Sequence, residues 1–555
     1  MSRISKFVGL LLLPGVFFAC DSVSDFGDTN ENPTQPTELD PRFLFPQVQL
    51  ETPGNWALMN RANHRFAGAA IQHWASPSEF WGAGNEYNRR GGGGTENSAQ
   101  RFWDGVWGNT LVDLQHAINF LQQSKENGEN VDPKLGQARI WRAYIFQLVT
   151  DAHGDVPFND AAKGTLEQTF NPTFEPQEQV YEKLFTELDE AVTQLDGAGS
   201  GFGSQDLLTY EGDVQQWKKF ANSLRLRLAM RLVKRDQGWA QQEVEAALSA
   251  DGGVITDNAD NAMYFHQEEP GRNQNNPDSW ALKNSEMGYP SQTLVEWLKD
   301  RNDPRLFVYG AVYDGQVTTE DAQVIPEDDP NNVKGMPNGY LAGQLENHSS
   351  WTENCRDEEG NLTSNTDACD IADYMQTHPE LLGETDPLFH ITAAQNHLLL
   401  AEAEVRWGIA PLSAEEHYEA GVRAAFKQLA EYGSDAEIPD SEIDQYLDDN
   451  PFKSGASQEE QLEQINEQYW ASSYMNAIEA WNNWKRSGYP DLETAPVDID
   501  DAGGPGGGRP GNDTNGQIPR RMLYHRDEVS LNDNLDAPPG QSPNDMVTRV
   551  WWDAE

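Results

Sequence analysis

Apolar residues recur every three or four positions through much of the chain, the spacing of one face of an α-helix. Tyr181, Leu184, Leu188, Ala191 and Leu195 form one such stripe. Trp217, Phe220, Leu224, Leu228 and Leu232 form a second, and Tyr418, Val422, Ala425, Leu429 and Tyr432 a third. Ser413 and Glu416 introduce the third in capping-box spacing. Ser457 and Glu460 repeat that device ahead of QEEQLEQINEQYWASSYMNAIEAWNNWKRSGYP, where Gly488 and Pro490 predict the stop. Helices following one another in antiparallel pairs predict a mainly α fold: tetratricopeptide-like hairpins in a superhelical array. Four stretches lack the helical period: 74–94, 271–290, 324–370 and the glycine-rich 501–511. Loops of that length either bind something or are disordered.

The N-terminus has a different pattern. Arg3 and Lys6 precede an apolar run from Phe7 to Phe18, broken by Gly9, Pro14 and Gly15, which ends at Ala19 and Cys20. The run is shorter than the roughly 20 residues a membrane span needs. A basic start, a short apolar core and a small residue before cysteine predict a lipoprotein signal peptide over 1–19. Cys20 is then the lipidation site, and the Pro- and Asn-containing segment 20–40 a flexible tether from the anchor. Residues 41–555 make up the folded body.

Composition narrows the function. Asp and Glu total 90 against 39 Lys and Arg, a formal charge of -51. So acidic a body is repelled by phosphate backbones, which excludes nucleic acid as a natural partner. It also suits concentrated salt. Cys355 and Cys369 bracket CRDEEGNLTSNTDAC and, in an exported chain, are expected to form a disulfide. No cofactor is implied. The oxygens of Asp357, Glu358, Glu359, Asn361 and Asp367 suit a hard cation such as calcium, but Gly360 is misplaced for an EF-hand loop, so the default is a solvated acidic loop.

Catalytic signatures are missing: no G-x-S-x-G, no H-E-x-x-H, and no glycine loop ending in G-K-[ST]. Neither His64 and His73 nor His390 and His397 have the spacing that puts two metal ligands on one helical turn. The informative stretch is AIQHWASPSEFWGAGNEYNRRGGGG. It crowds Trp74, Phe80, Trp81 and Tyr87 into a segment that Pro77, Gly82 and Gly84 keep from being one helix. Rings on a loop offer flat faces to sugars, and Asn85 and Arg89 offer donors. The alternative is a loop pinned to the body by its aromatics. Trp280 and Tyr289 in the second loop pose the same choice.

The phrases EQYWASSYMNAIEAWNNWKRSGYPDL, IPRRMLYHRDEVSLNDNLDA and the ending VTRVWWD resemble the SusD/RagB family of surface nutrient-binding lipoproteins. DFGDTNENP, RAYIFQLVTDAHGDVPFNDA, NDPRLFVY and LLLAEAEVRWG agree in the same order. The acidic charge and the cysteine-bracketed loop stand outside the family pattern. The resemblance implies four tetratricopeptide-like hairpins beside a loop-rich binding region. It also implies an outward-facing outer-membrane location and a TonB-dependent, SusC-like barrel as partner. The ligand is then an oligosaccharide, or in some members a peptide, captured without catalysis. The implied ligand-binding residues are Trp74, Trp81, Asn85, Tyr87 and Arg89 in the first loop, with Trp280 and Tyr289 in the second. Trp481, Trp484, Arg486, Trp551 and Trp552 are assigned to packing. A surface glycoside hydrolase and a helical-repeat scaffold of an outer-membrane complex are the alternatives.

Overall fold

The computed structural model describes residues 39–52, 57–77, 87, 95–164, 169–267, 276–284, 288–315, 322–340, 345, 348, 355–356, 362–363, 370–494, 514–535 and 545–555. Cys20 and its flanks, Cys369, the calcium-type loop residues 357–361 and the stretch 501–511 lie outside them. Cys355 is placed in a short strand.

Helices dominate. In chain order they are α1 (Pro41–Glu51), α2 (Thr95–Gly105), α3 (Leu111–Glu126), α4 (Asp132–His153), α5 (Gln177–Leu195), α6 (Val214–Arg231), α7 (Gln237–Ser249) and α8 (Pro277–Asn284). There follow α9 (Gln292–Asp300), α10 (Leu306–Tyr309), α11 (Ala393–Trp407), α12 (Ala414–Lys427), α13 (Asp440–Asp449), α14 (Gln458–Ser472), α15 (Ala477–Ser487) and α16 (Arg526–Leu531). Two π-helical segments, Ala57–Gly68 and Val106–Thr110, lie near the start. Strands are short: β1 (Trp74–Ala75), β2 (Ala262–Phe265), β3 (Tyr289–Pro290), β4 (Gly310–Tyr313), β5 (Val324–Ile325), β6 (Cys355–Arg356), β7 (Leu362–Thr363), β8 (Gln376–Thr377) and β9 (Pro387–Ile391). All pairings among them are antiparallel. Among the described residues no helix is long and apolar enough to cross a membrane.

Sequential helices pack as hairpins, α3 on α4, α4 on α5, α6 on α7, α11 on α12 and α14 on α15. Each buries the stripe its period predicts: α5 buries Tyr181, Leu184, Leu188, Ala191 and Leu195. Ser413 and Ser457 close the expected capping boxes with Glu416 and Glu460. In the α11–α12 pair, a Cβ at Gly421 would stand 2.9 Å from Leu398 Cγ, so the close approach of these helices requires glycine there. One expectation fails: the segment after Ser457 is two helices, broken at 473–476. The break is made by distant partners. Tyr474 stacks on Tyr309 at 4.4 Å. Asn63 accepts from the Ile478 N–H and donates to the Met475 carbonyl, satisfying groups a helix end leaves open.

The phrases assigned to packing do pack. Trp481 and Trp552 are fully buried, Trp484 nearly so, and Trp551 is partly buried. They surround charges that water does not reach. Arg231 donates from one nitrogen to both Glu479 oxygens at 2.6 Å and stands 3.3 Å from Asp151. Asp151 also accepts from Trp552 Nε1 at 2.8 Å and from the Tyr181 hydroxyl. Lys485 donates to the Asp151 carbonyl at 2.6 Å and lies over the Trp481 ring. In the same helix Arg486 forms a fork with Glu402 at 2.6 and 2.8 Å. Burial alone would raise the Glu402 carboxyl, but Arg486 and Arg406 hold it down at about 2. Glu402→Ala would leave Arg486 buried without its counter-ion, so a loss of about 3–5 kcal/mol is expected in urea unfolding. A loss below about 1 kcal/mol would show that the pair is dispensable.

Candidate functional site

Three of the four long loops meet at one place. β1 pairs with β3 in the register Trp74↔Pro290 and Ala75↔Tyr289, so the first loop leaves from where the second returns. The Ser291 N–H donates to the His73 carbonyl at 3.0 Å. The third loop joins through Met336, whose N–H donates to the Pro290 carbonyl at 3.0 Å and whose carbonyl accepts from Gln292 at 2.8 Å. Asn338 donates from its amide to the Trp74 carbonyl at 3.1 Å. Beneath this junction lies a small separate core of Ala75, Tyr289, Met336, Leu345 and Tyr374, edged by Tyr340 and Ile371.

The junction is braced from below. Trp74 is fully buried and lies on Gly68, where a Cβ would stand 2.2 Å from the indole ring. Its Nε1 donates to the Tyr474 hydroxyl at 2.8 Å. The π-helical segment that ends at Gly68 carries His64, whose Nε2 meets Asp278 on α8 with both side chains out of water. His64 also meets Trp74 edge-on at 4.5 Å. Irregular helix of this kind is concentrated at functional sites. Gln72 and Tyr87, near either end of the first loop, hold left-handed backbone at φ 56° and 55°. Such strain persists only where surrounding packing over-determines it.

Of the residues expected to touch ligand, the structure brings Trp74 and Tyr289 side by side through the β1–β3 register. It corrects their role. Trp74, Tyr87 and Tyr289 are 0%, 0% and 3% exposed, so their ring faces are covered by protein and act as pillars of the junction. Trp280 is placed on α8, two residues from Asp278. Trp81, Asn85 and Arg89 lie outside the described residues. Sequence reasoning missed His64, Asp278, Tyr474, Met336 and Asn338. His64 and Asp278 are separated by 214 residues and Trp74 and Tyr474 by 400, so no local pattern announces either pair.

Chemically the junction is built to hold loops. Among the described residues no group of three His, Cys, Asp or Glu side chains could hold a metal ion. The His64–Asp278 pair is sealed from substrate and solvent by burial.

A family model described as "Starch-binding associating with outer membrane" matches residues 33–525. The chain belongs to the SusD-like family. Among solved structures, a chitin-binding protein is 27% identical with a TM-score of 0.73, over 93% of this chain and 100% of its own. A SusD-like protein from Bacteroidetes is 25% identical with a TM-score of 0.75, over the same shares. A chitin-binding SusD homolog from Flavobacterium johnsoniae shares the fold at 22% identity and a TM-score of 0.68, over 92% of this chain and 97% of its own. No curated protein matches the chain. The SusD-like hairpins thus form the body on which the loop junction sits.

Two outcomes follow from this geometry. Trp74→Ala is expected to cost about 3–5 kcal/mol in chemical denaturation, the range for emptying a large buried aromatic site. Tyr474→Phe, which leaves the indole N–H unpaired, should cost about 1–3 kcal/mol. The second outcome concerns pH. Asp386, whose carbonyl accepts from Asn276 at the end of the second loop's undescribed part, has its carboxyl pushed up to about 7 by burial. The folded state therefore holds this proton more tightly than the unfolded chain, whose carboxyl titrates near 3.8. Its contribution is full below pH 3.8 and is lost as pH rises through about 7. Asp386→Asn should flatten that part of the stability profile between pH 4 and 8 in urea unfolding.

Proposed function

We propose that this SusD-like protein is a lipoprotein, anchored through Cys20 on the outward face of the outer membrane, that captures oligosaccharides and passes them to a SusC-like, TonB-dependent barrel. The observation that carries the capture reading is the convergence of the three loops on the β1–β3 junction, braced by Trp74 and Tyr289. A rigid seat beneath loops rich in aromatic and amide side chains is how a scaffold presents a variable binding surface. Trp81, Asn85 and Arg89 are then the contact residues of the first loop, and Trp280 that of the second. Chitin oligomers are the first ligand to try, since the 27% identical relative is a chitin-binding protein. Starch oligomers and peptides come next.

Capture without turnover is the reading the site supports, because its one described His–Asp pair is closed off. The test uses the mature chain with Cys20 unacylated, titrated with chitin and starch oligomers and mixed peptides under tryptophan fluorescence. The same tubes are assayed for cleavage products. Saturable binding in the micromolar range is expected, about -8 kcal/mol, as suits a handover role. Trp81→Ala should weaken it at least tenfold without shifting the thermal midpoint. Cleavage products would establish the hydrolase instead. Silence across the whole panel would overturn capture in favour of a scaffold.

A further inference from the structure

A second place on the molecule has the makings of a ligand site, and the loop junction does not include it. Where α9 ends, its C-terminal turn faces α12, α13 and α14 across a groove of about 470 Å³.

 A volume of 470 Å³ is within the range of small-molecule sites, about 300–1,000 Å³. Trp297 forms one wall, with the Arg301 guanidinium over its ring at 4.3 Å and held there by Glu467 at 2.8 Å. Tyr418 and Tyr446, 1% and 2% exposed, form the floor.

The polar groups of this groove are arranged for a ligand that both donates and accepts. The Tyr418 hydroxyl accepts from Gln464 at 3.3 Å and the Tyr446 hydroxyl accepts from Gln468, which leaves each tyrosine its own hydrogen to donate. Asn450 spends both amide hydrogens on the Arg301 and Tyr446 carbonyls, at 2.9 and 3.0 Å, and keeps its side-chain oxygen as an acceptor. At the rim, Asp449 and Lys453 are exposed and form no ion pair among the described residues. With both signs present at the rim, the groove favours a neutral ligand over a multiply charged one.

We propose that this groove is a second carbohydrate-binding site, which takes a sugar unit carrying hydroxyl and amide groups. The inference rests on the capture reading for the ligand's class, but not for its location. The nine residues of α9 separate the groove from the β1–β3 junction, about 13 Å at 1.5 Å per residue. The two sites can therefore be tested apart.

The probe is the two-unit oligomer of N-acetylglucosamine, titrated calorimetrically into the mature chain. Two equivalents are expected to bind. The double variant Asp449→Ala, Lys453→Ala alters only exposed, unpaired side chains, and Tyr446→Phe removes one hydroxyl. Each should weaken one equivalent at least tenfold and leave the other unchanged; the double variant should keep the thermal midpoint, while Tyr446→Phe, which strips buried Gln468 of its acceptor, should lower it. Trp81→Ala should do the reverse. A single equivalent that is lost in Trp81→Ala and untouched by the groove variants overturns the second site and leaves the capture reading standing. One equivalent that survives Trp81→Ala and is lost in the groove variants supports the groove and overturns the loop assignment. No binding in the unaltered chain overturns the groove as a site for amide-bearing sugars, while starch oligomers and peptides still test capture itself.

Discussion

The indole N–H of Trp74 is paired inside the protein by the hydroxyl of Tyr474, and the organisation of the loops depends on that hydrogen bond. A buried indole without an acceptor would carry the desolvation cost of its N–H. With the acceptor supplied, Trp74 can lie on Gly68 and hold β1 against β3. That two-residue ladder is too short to be stable alone. It persists because the helical body fixes both of its ends: Tyr474 from the turn between α14 and α15, and Asp278 on α8 through His64. The loops that meet there inherit a rigid base.

The body itself combines an acidic exterior with paired charges inside. A formal charge of -51 means that surface repulsion works against compactness at low salt. Several interior arginines meet carboxylates in fixed geometry: Arg231 with Glu479, Arg486 with Glu402, and Arg305 with Asp303 at 2.6 Å. Such pairs add little net stability over a hydrophobic core, but breaking one is costly, so they specify which helices meet. Arg231–Glu479 and Arg486–Glu402 link elements far apart in the chain, and Asp303–Arg305 fixes a turn beside α14; Arg486 lies in WNNWKR, and Asp303 and Arg305 lie in NDPR.

The helical body was legible because it is built from local rules. Periods of three and four, two capping boxes and a glycine stop place α5, α6, α12, α14 and α15. The break at 473–476 was not legible, since its causes are Tyr309, Asn63 and Trp74, all remote in sequence. The site was half legible. Composition marked the loops, but an aromatic on a loop reads the same whether it faces ligand or core. Trp74, Tyr87 and Tyr289 turned out to face inward because partners at other places in the chain cover them.

The central claim is that the loops meeting at β1–β3 form the capture surface. Hydrogen exchange of the mature chain with and without a six-unit N-acetylglucosamine oligomer tests it most directly. The account predicts slowed exchange in 74–94, 271–290 and 324–370 together, because one ligand engages loops seated on one junction. Protection confined to the helical body, with all three segments exchanging as before, would contradict it.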